Sequence, residues 1–377
     1  MEAWIDSWFA PQQPCEEGNL PPLALGGKTL RQRIRVSVAG TGHRLLVSNL
    51  FGDGPLKLAR AGVGRHTGPD SIAAGSSIPL SFGGKPGIGI GPGDEALSDT
   101  FDLPISASES IMVSLAFESA PAAVTAHPGS RTTSFIADGD GVDALSLPGA
   151  ASTDHWYFIS ALETMASAGS GALVALGDSI TDGRGVTVNA DTRWTDVLSR
   201  RMIAENMGIA VLNAGLGGNR ILREGLGPFA LSRFDRDVLE RKGARWAIVF
   251  EGINDIGSKK PGSGAEAGRR TVEELVEAYR IMVAKARGRG LKIFGATITP
   301  MGGADYDRDG NMEDWRAING WIRNSGAFDA VIDFAAAVGN PSAPERLDPR
   351  FDCGDHLHLN DAGYERLASS IDLGLFR

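Results

Sequence analysis

The run Leu173-Val174-Ala175-Leu176-Gly177-Asp178-Ser179-Ile180-Thr181-Asp182-Gly183 constrains this chain more than any other stretch. Its apolar part, Ala172 to Leu176, reads as a buried strand, and Gly177-Asp178-Ser179 breaks it sharply. Open α/β sheets place their chemistry at the carboxyl ends of such strands, which is where Ser179 falls. A serine hydroxyl is a weak nucleophile. It needs a base, a carboxylate to orient that base, and a site for the oxyanion.

Residue types suited to all three tasks occur later in the chain. Asp355 and His358 are three residues apart, so one short loop can present both. A carboxylate on one imidazole nitrogen fixes the tautomer and leaves the other nitrogen free to take the Ser179 proton. Two glycine- and asparagine-bearing turns follow apolar runs: Asn213 to Asn219 after Ala210-Val211-Leu212, and Glu251 to Asp255 after Trp246 to Phe250. A glycine lets its N–H approach a substrate oxygen closely, and an asparagine amide can donate a second hydrogen bond. Such donors stabilise a developing oxyanion by about 3 kcal/mol each.

Four blocks in one order make the resemblance specific. They are Gly177-Asp178-Ser179-Ile180-Thr181, Asn213-x-Gly215-x-x-Gly218, Gly252-x-Asn254-Asp255, and Asp355-x-x-His358 followed by Leu-Asn-Asp-Ala-Gly-Tyr. The chain resembles the SGNH hydrolases, also called GDSL lipases/acylhydrolases. The resemblance implies an α/β fold, a three-layer, flavodoxin-like parallel-sheet domain. It implies Ser179 as nucleophile, His358 as base and Asp355 as its orienter, with the N–H groups of Ser179 and Gly218 and the Asn254 amide as oxyanion donors. The Gly-x-Ser-x-Gly elbow of α/β-hydrolases is absent, since Thr181 stands at its second glycine. Over its full length the chain is most similar to the two-domain arylesterase/acylhydrolase branch, associated with plant-polysaccharide degradation. Trp4 to Trp8, His127 to Ser134 and Asp154 to Phe158 carry that likeness.

At 377 residues two domains are the better expectation. Residues 1–165 show period-two alternation, as in Leu30, Ile34, Val36, Val38 and in Ile111, Val113, Leu115, Phe117, with Gly/Pro-rich turns between. That pattern predicts an all-β sandwich of jelly-roll type. Ala166 to Gly171 reads as a linker or a close seam. From 170 to 377, apolar strands at 172–176, 209–212, 246–250, 291–298 and 329–334 alternate with helical segments, as in a parallel sheet covered on both faces. The clearest helix follows Thr271, with Val272, Leu275, Val276, Tyr279, Met282 and Val283 on one face and a Thr271/Glu274 capping box at its start.

The net charge of −9 argues against nucleic acid and anionic membrane surfaces as partners, and no apolar run is long enough to span a bilayer. The opening Met1-Glu2-Ala3-Trp4 has no basic or apolar leader signature. Relatives of this kind are frequently exported, so the expectation is a secreted or periplasmic protein whose leader has been removed, with a cytoplasmic location left open. Nothing in the sequence signals oligomeric state.

Several residues carry two readings. Asp182, Arg184, Asn219, Glu251, His127 and Arg131 are candidates for substrate contact, against plainer roles in turns, helix starts and surface loops. Trp4, Trp8 and Trp156 suit sugar stacking or core packing, the latter being commoner. His356 and His358 with their aspartates have a spacing compatible with a metal, yet no third ligand cluster accompanies them, so neither metal nor organic cofactor is expected. Cys15 and Cys353 read equally as a pair or as two free thiols. The expected activity is hydrolysis of short acyl esters, acetyl foremost, of a sugar, polysaccharide or aryl alcohol. Two rival readings are a sugar O-acyltransferase on the same triad and a non-catalytic carbohydrate-binding protein.

Overall fold

The computed structural model describes residues 2–259, 264–308 and 310–377. The chain divides into two compact units: Met1–Ser170 with Ile203–Ala210, and Gly171–Met202 with Val211–Arg377.

In the first unit the alternating run Ile111, Val113, Leu115, Phe117 lies on the strand Ser110–Ser119, paired antiparallel with Lys28–Arg35 on one side and Leu56–Gly68 on the other. These belong to an eight-stranded sheet; a five-stranded sheet is built around Ile159–Ala166 and Gly40–Ser48. Leu30, Ile34, Val113 and Leu115 of the larger sheet share one core with Leu45, Val47, Phe101 and Leu162 of the smaller. Alternation predicts that the opposite face of Ser110–Ser119 is wet, but Met112, Ser114 and Ala116 are buried too. The cause is Arg31, itself without exposed surface. Its guanidinium donates to Ser114 Oγ (2.9 Å) and to the carbonyls of Asp70 (2.9 Å), Gly141 (2.9 Å) and Ala144 (2.8 Å), drawing the 141–144 segment over that face.

A five-stranded sheet runs in the order Ile209–Gly215, Gly171–Gly177, Ala244–Phe250, Lys292–Ala296, Ala330–Ile332, and all of it from Val211 onward, with Gly171–Gly177, belongs to the second unit. Gly171–Gly177 pairs parallel with Ala244–Phe250, which pairs parallel with Lys292–Ala296, and that with Ala330–Ile332. All seven residues of Gly171–Gly177 are buried. The strand order reverses direction at Gly171–Gly177, and ligand sites of open sheets lie at the carboxyl ends of strands beside such a reversal. The turns bearing Ser179 and Asn254 both leave the sheet there.

After Ala166 the chain makes a tight turn closed by Ser170 N–H on the Ser167 carbonyl. One local expectation is corrected. Thr271 does not start a helix: the helix runs Gly264–Gly288, and the Thr271 hydroxyl donates to the Ala267 carbonyl one turn back (2.9 Å). Glu274 accepts from Arg270 Nε instead of closing a capping box (2.9 Å). The predicted apolar face holds, with Leu275, Tyr279, Met282 and Val283 buried.

Gly177 marks the closest packing beside the nucleophile turn. A Cβ there would stand 2.1 Å from Thr181 Oγ1 and 2.7 Å from the Phe250 carbonyl oxygen. The second contact is backbone and cannot rotate away. Gly177→Ala is therefore expected to lower the unfolding free energy by about 2 kcal/mol or more, read from urea titration. An unchanged midpoint would contradict this packing.

Candidate active site

Gly177-Asp178-Ser179 turns the buried strand directly into the short helix Ser179–Asp182. Asp178, not Ser179, caps that helix: its Oδ1 accepts the Ile180 N–H at 2.8 Å. The Ser179 hydroxyl is thereby spared the capping task. It lies 2.8 Å from His358 Nε2.

The base is held by a tight loop. An isolated bridge between Asp352 and Leu359 and the Cys353 N–H on the His358 carbonyl (3.1 Å) close it. Asn360 then caps the following helix, Asp361–Ser370, through the Gly363 N–H (3.0 Å). Within the loop, Asp355 Oδ1 accepts the N–H groups of Leu357 (3.0 Å) and His358 (2.8 Å), while Oδ2 lies 2.6 Å from His358 Nδ1. Burial alone would raise the Asp355 pKa. The His358 and Leu357 donors outweigh it and hold the carboxyl well below the usual range. An ionised carboxylate only accepts, so the Nδ1 proton faces Asp355 and the Nε2 lone pair faces Ser179.

The two remaining blocks meet through side chains that local pattern does not announce. Arg233 has no exposed side-chain surface. It donates to the Gly177 carbonyl (3.1 Å), the Ala214 carbonyl (2.8 Å) and Asn219 Oδ1 (3.0 and 2.7 Å), and pairs with Asp237 (3.1 Å). Asn254 Nδ2 donates to the Asn219 carbonyl (2.8 Å), and Asp255 accepts the N–H groups of Ile221 (2.8 Å) and Leu222 (3.1 Å). The loop carrying Gly218 is thus fastened to the nucleophile turn by Arg233 and to the asparagine block by Asn254 and Asp255. Gly218 itself takes φ +64°, a left-handed conformation that costs glycine little.

Below the nucleophile lies a group of buried carboxyls. Burial, with Asp255 and Asp182 as neighbouring like charges, pushes Asp178 up to about 7 against the opposing Ile180 N–H and Arg233. Burial pushes Asp255 up to about 6. Glu251 is raised well above its ordinary value, by burial first and then by Asp178. Among the described residues neither of its oxygens has a hydrogen-bond partner at full geometry. A charge so placed is costly, so burial favours the protonated form of Glu251, against the opposing Arg233 charge and Gly252 N–H.

The substrate-contact candidates divide. Asp182, Asn219 and Glu251 are buried, each with at most 1% exposure, and the Asn219 side chain is engaged by Arg233 and the Pro228 carbonyl. Arg184 is exposed, and its carbonyl accepts the Tyr364 hydroxyl (2.6 Å). His127 is buried in the first unit, with Nδ1 on the Pro11 carbonyl (2.9 Å) and its ring 5.7 Å from Trp156. Arg131, half-buried in the same unit, has φ +52°. Trp8 and Trp156 pack edge-on in the core at 5.0 Å, and Trp4 stacks under the Arg44 guanidinium at 3.9 Å. His356 is exposed and pairs with Asp352 (2.6 Å). Asp352, Cys353 and Asp355 bring ligand-type atoms within 4.8 Å of one another, but both carboxylates are already engaged in the loop's own hydrogen bonds. Cys15 and Cys353 are free thiols. Sequence reasoning missed Arg233 and Tyr306; the latter's hydroxyl donates to Asn254 Oδ1 (2.9 Å).

Ser179 on its turn, His358 oriented by Asp355, and the loop bearing Gly218 beside Asn254 make up the candidate site. The GDSL-like lipase/acylhydrolase family profile matches residues 175–366, and the chain belongs to that family. It is an SGNH-type hydrolase in fold. Among solved structures it is similar to a lipase/acylhydrolase from Enterococcus faecalis (22% identity, covering 53% of this chain and 92% of that one, TM-score 0.41). It is also similar to a GDSL-like lipase from Bacteroides thetaiotaomicron (16%, 54% and 87%, 0.40) and to an acetyl xylan esterase from Geobacillus stearothermophilus (22%, 54% and 93%, 0.41). No curated protein matches the chain.

The buried carboxyls give a signed pH dependence. Below about pH 4 Asp178 is protonated both folded and unfolded, and its ionisation does not affect stability. As pH rises from there towards 7, the unfolded chain releases the proton while the folded chain keeps it, so stability falls. Asp178→Asn retains an Oδ1 acceptor for the Ile180 N–H but cannot ionise. The variant is expected to gain stability relative to wild type, its unfolding free energy rising against the wild-type value between about pH 4 and pH 7 in urea titrations and levelling off above. A difference that stays flat with pH would contradict this assignment.

Proposed function

We propose that this family member is a serine carboxylic-ester hydrolase that removes short acyl groups, acetyl foremost, from sugar, polysaccharide or aryl esters. One observation carries the reading: the continuous hydrogen-bond chain from Ser179 Oγ through both nitrogens of His358 to Asp355. Ser179 Oγ attacks the ester carbonyl as His358 Nε2 takes its proton, and Asp355 stabilises the imidazolium. The N–H groups of Ser179 and Gly218 and the Asn254 amide receive the oxyanion. Collapse of the tetrahedral intermediate breaks the bond to the alcohol oxygen, which leaves with the proton from His358. Water, deprotonated by the same histidine, then attacks the acyl-serine and releases the acid. No metal or organic cofactor enters this scheme. Residues 170–377 form the hydrolase domain in this reading, and residues 1–165 an accessory β domain.

The test is hydrolysis of p-nitrophenyl esters from acetyl to octanoyl by wild type and Ser179→Ala. The variant is expected to lose a factor of about a thousand or more in kcat, with wild-type turnover highest on acetyl. Retained activity in Ser179→Ala would overturn the mechanism. A preference for octanoyl would overturn the acyl assignment, and acyl transfer to an added sugar in excess of free acid would move the reading to a transferase.

A further inference from the structure

An oxyanion donor works only if it already points at the place where charge develops. The Asn254 side chain is a planar amide that could occupy its slot in two orientations, exchanging Oδ1 and Nδ2. Two neighbours settle which one it adopts. The Asn219 carbonyl, at 2.8 Å, can only accept, so it demands Nδ2 on its side. On the other side the Tyr306 hydroxyl lies 2.9 Å from Oδ1, and because Oδ1 can only accept, the phenol proton must be the one donated. One N–H of Nδ2 is spent on Asn219. Among the described residues the other has no acceptor, and it remains for a ligand.

Tyr306 is itself held firmly. Its ring lies against the backbone of Gly257, in the short helix that carries Asn254, so closely that a Cβ at Gly257 would stand 2.0 Å from the ring. Asn311 Nδ2 donates to the Tyr306 carbonyl at 2.9 Å. Burial raises the phenol's pKa, with Asp178 adding to the effect, so its donor proton stays in place at neutral pH.

We propose that Tyr306 is a positioning residue of the oxyanion site, acting through Asn254 and not by touching the reacting atoms. Its hydrogen bond locks the amide in the donating orientation. It also draws electron density from Oδ1, which strengthens the free N–H of Nδ2 as a donor. The proposal rests on the reading of Asn254 as an oxyanion donor given above, and it adds a residue outside the four sequence blocks.

A double-mutant cycle on p-nitrophenyl acetate hydrolysis tests it, using Tyr306→Phe, Asn254→Ala and the double variant, each checked for an unchanged thermal midpoint. Tyr306→Phe keeps the ring against Gly257 and removes only the hydroxyl. It is expected to lower kcat about fivefold to tenfold with KM within about twofold, and Asn254→Ala to lower kcat about a hundredfold. In the Asn254→Ala background the added Tyr306→Phe change is expected to have no further effect. The proposal is overturned if Tyr306→Phe leaves kcat unchanged, raises KM alone, or costs the same factor in both backgrounds. An Asn254→Ala variant with wild-type kcat would instead strike the oxyanion assignment of Asn254, and the proposal with it, while leaving the Ser179 test untouched.

Discussion

One buried guanidinium joins the parts of this site. Arg233 reaches the carbonyl of Gly177, which precedes the nucleophile turn by one residue, and also the carbonyl of Ala214 and the side chain of Asn219. These groups belong to two adjacent strands and the loop after one of them. The Gly177 carbonyl also accepts the Leu216 N–H (3.0 Å), so Arg233 is its second donor, and buried carbonyls short of donors cost free energy. A planar fork with five N–H groups satisfies several at fixed angles, which a lysine could not do. The charge is offset by Asp237, which also pairs with Arg236, so the cation is not left alone.

That cation does not neutralise everything near it. Asp178, Glu251 and Asp255 lie around the same strand ends, and burial raises the pKa of each. The fold tolerates this because two of the three do structural work through backbone N–H groups, Asp178 at Ile180 and Asp255 at Ile221 and Leu222. Asp355 shows the opposite balance. It is partly exposed, receives four donors, the Cys353 thiol among them, and is held low. The carboxylate held ionised is the partly exposed one, and the ones that support the turn lie in the interior.

The four blocks were legible in the sequence because the chemistry demands particular residue types at strand ends and within one loop. The strands of the sheet were legible because a buried parallel strand is apolar without alternation. What remained hidden was long-range. Arg233 lies 56 residues from Gly177, and Tyr306 lies 52 from Asn254; neither residue has a local pattern that distinguishes it from a surface arginine or a packing aromatic. Arg31 is similar: it occupies an outward position of an alternating strand, and only the 141–144 segment folded over it makes it interior. Thr271 failed for a different reason. Thr-x-x-Glu matches a capping box anywhere on a helix face, and the Gly/Ala/Arg-rich turns before it gave no apolar period from which to place the true start.

The central claim is that Ser179 is the residue acylated in turnover. The most direct measurement is peptide mass spectrometry of the protein after inactivation by a fluorophosphonate, a reagent that captures serine nucleophiles activated by a neighbouring base. The account predicts a single adduct on the peptide containing Ser179, formed in step with loss of esterase activity, and none on the His358→Ala variant. An adduct on another serine that tracks the loss of activity would contradict it.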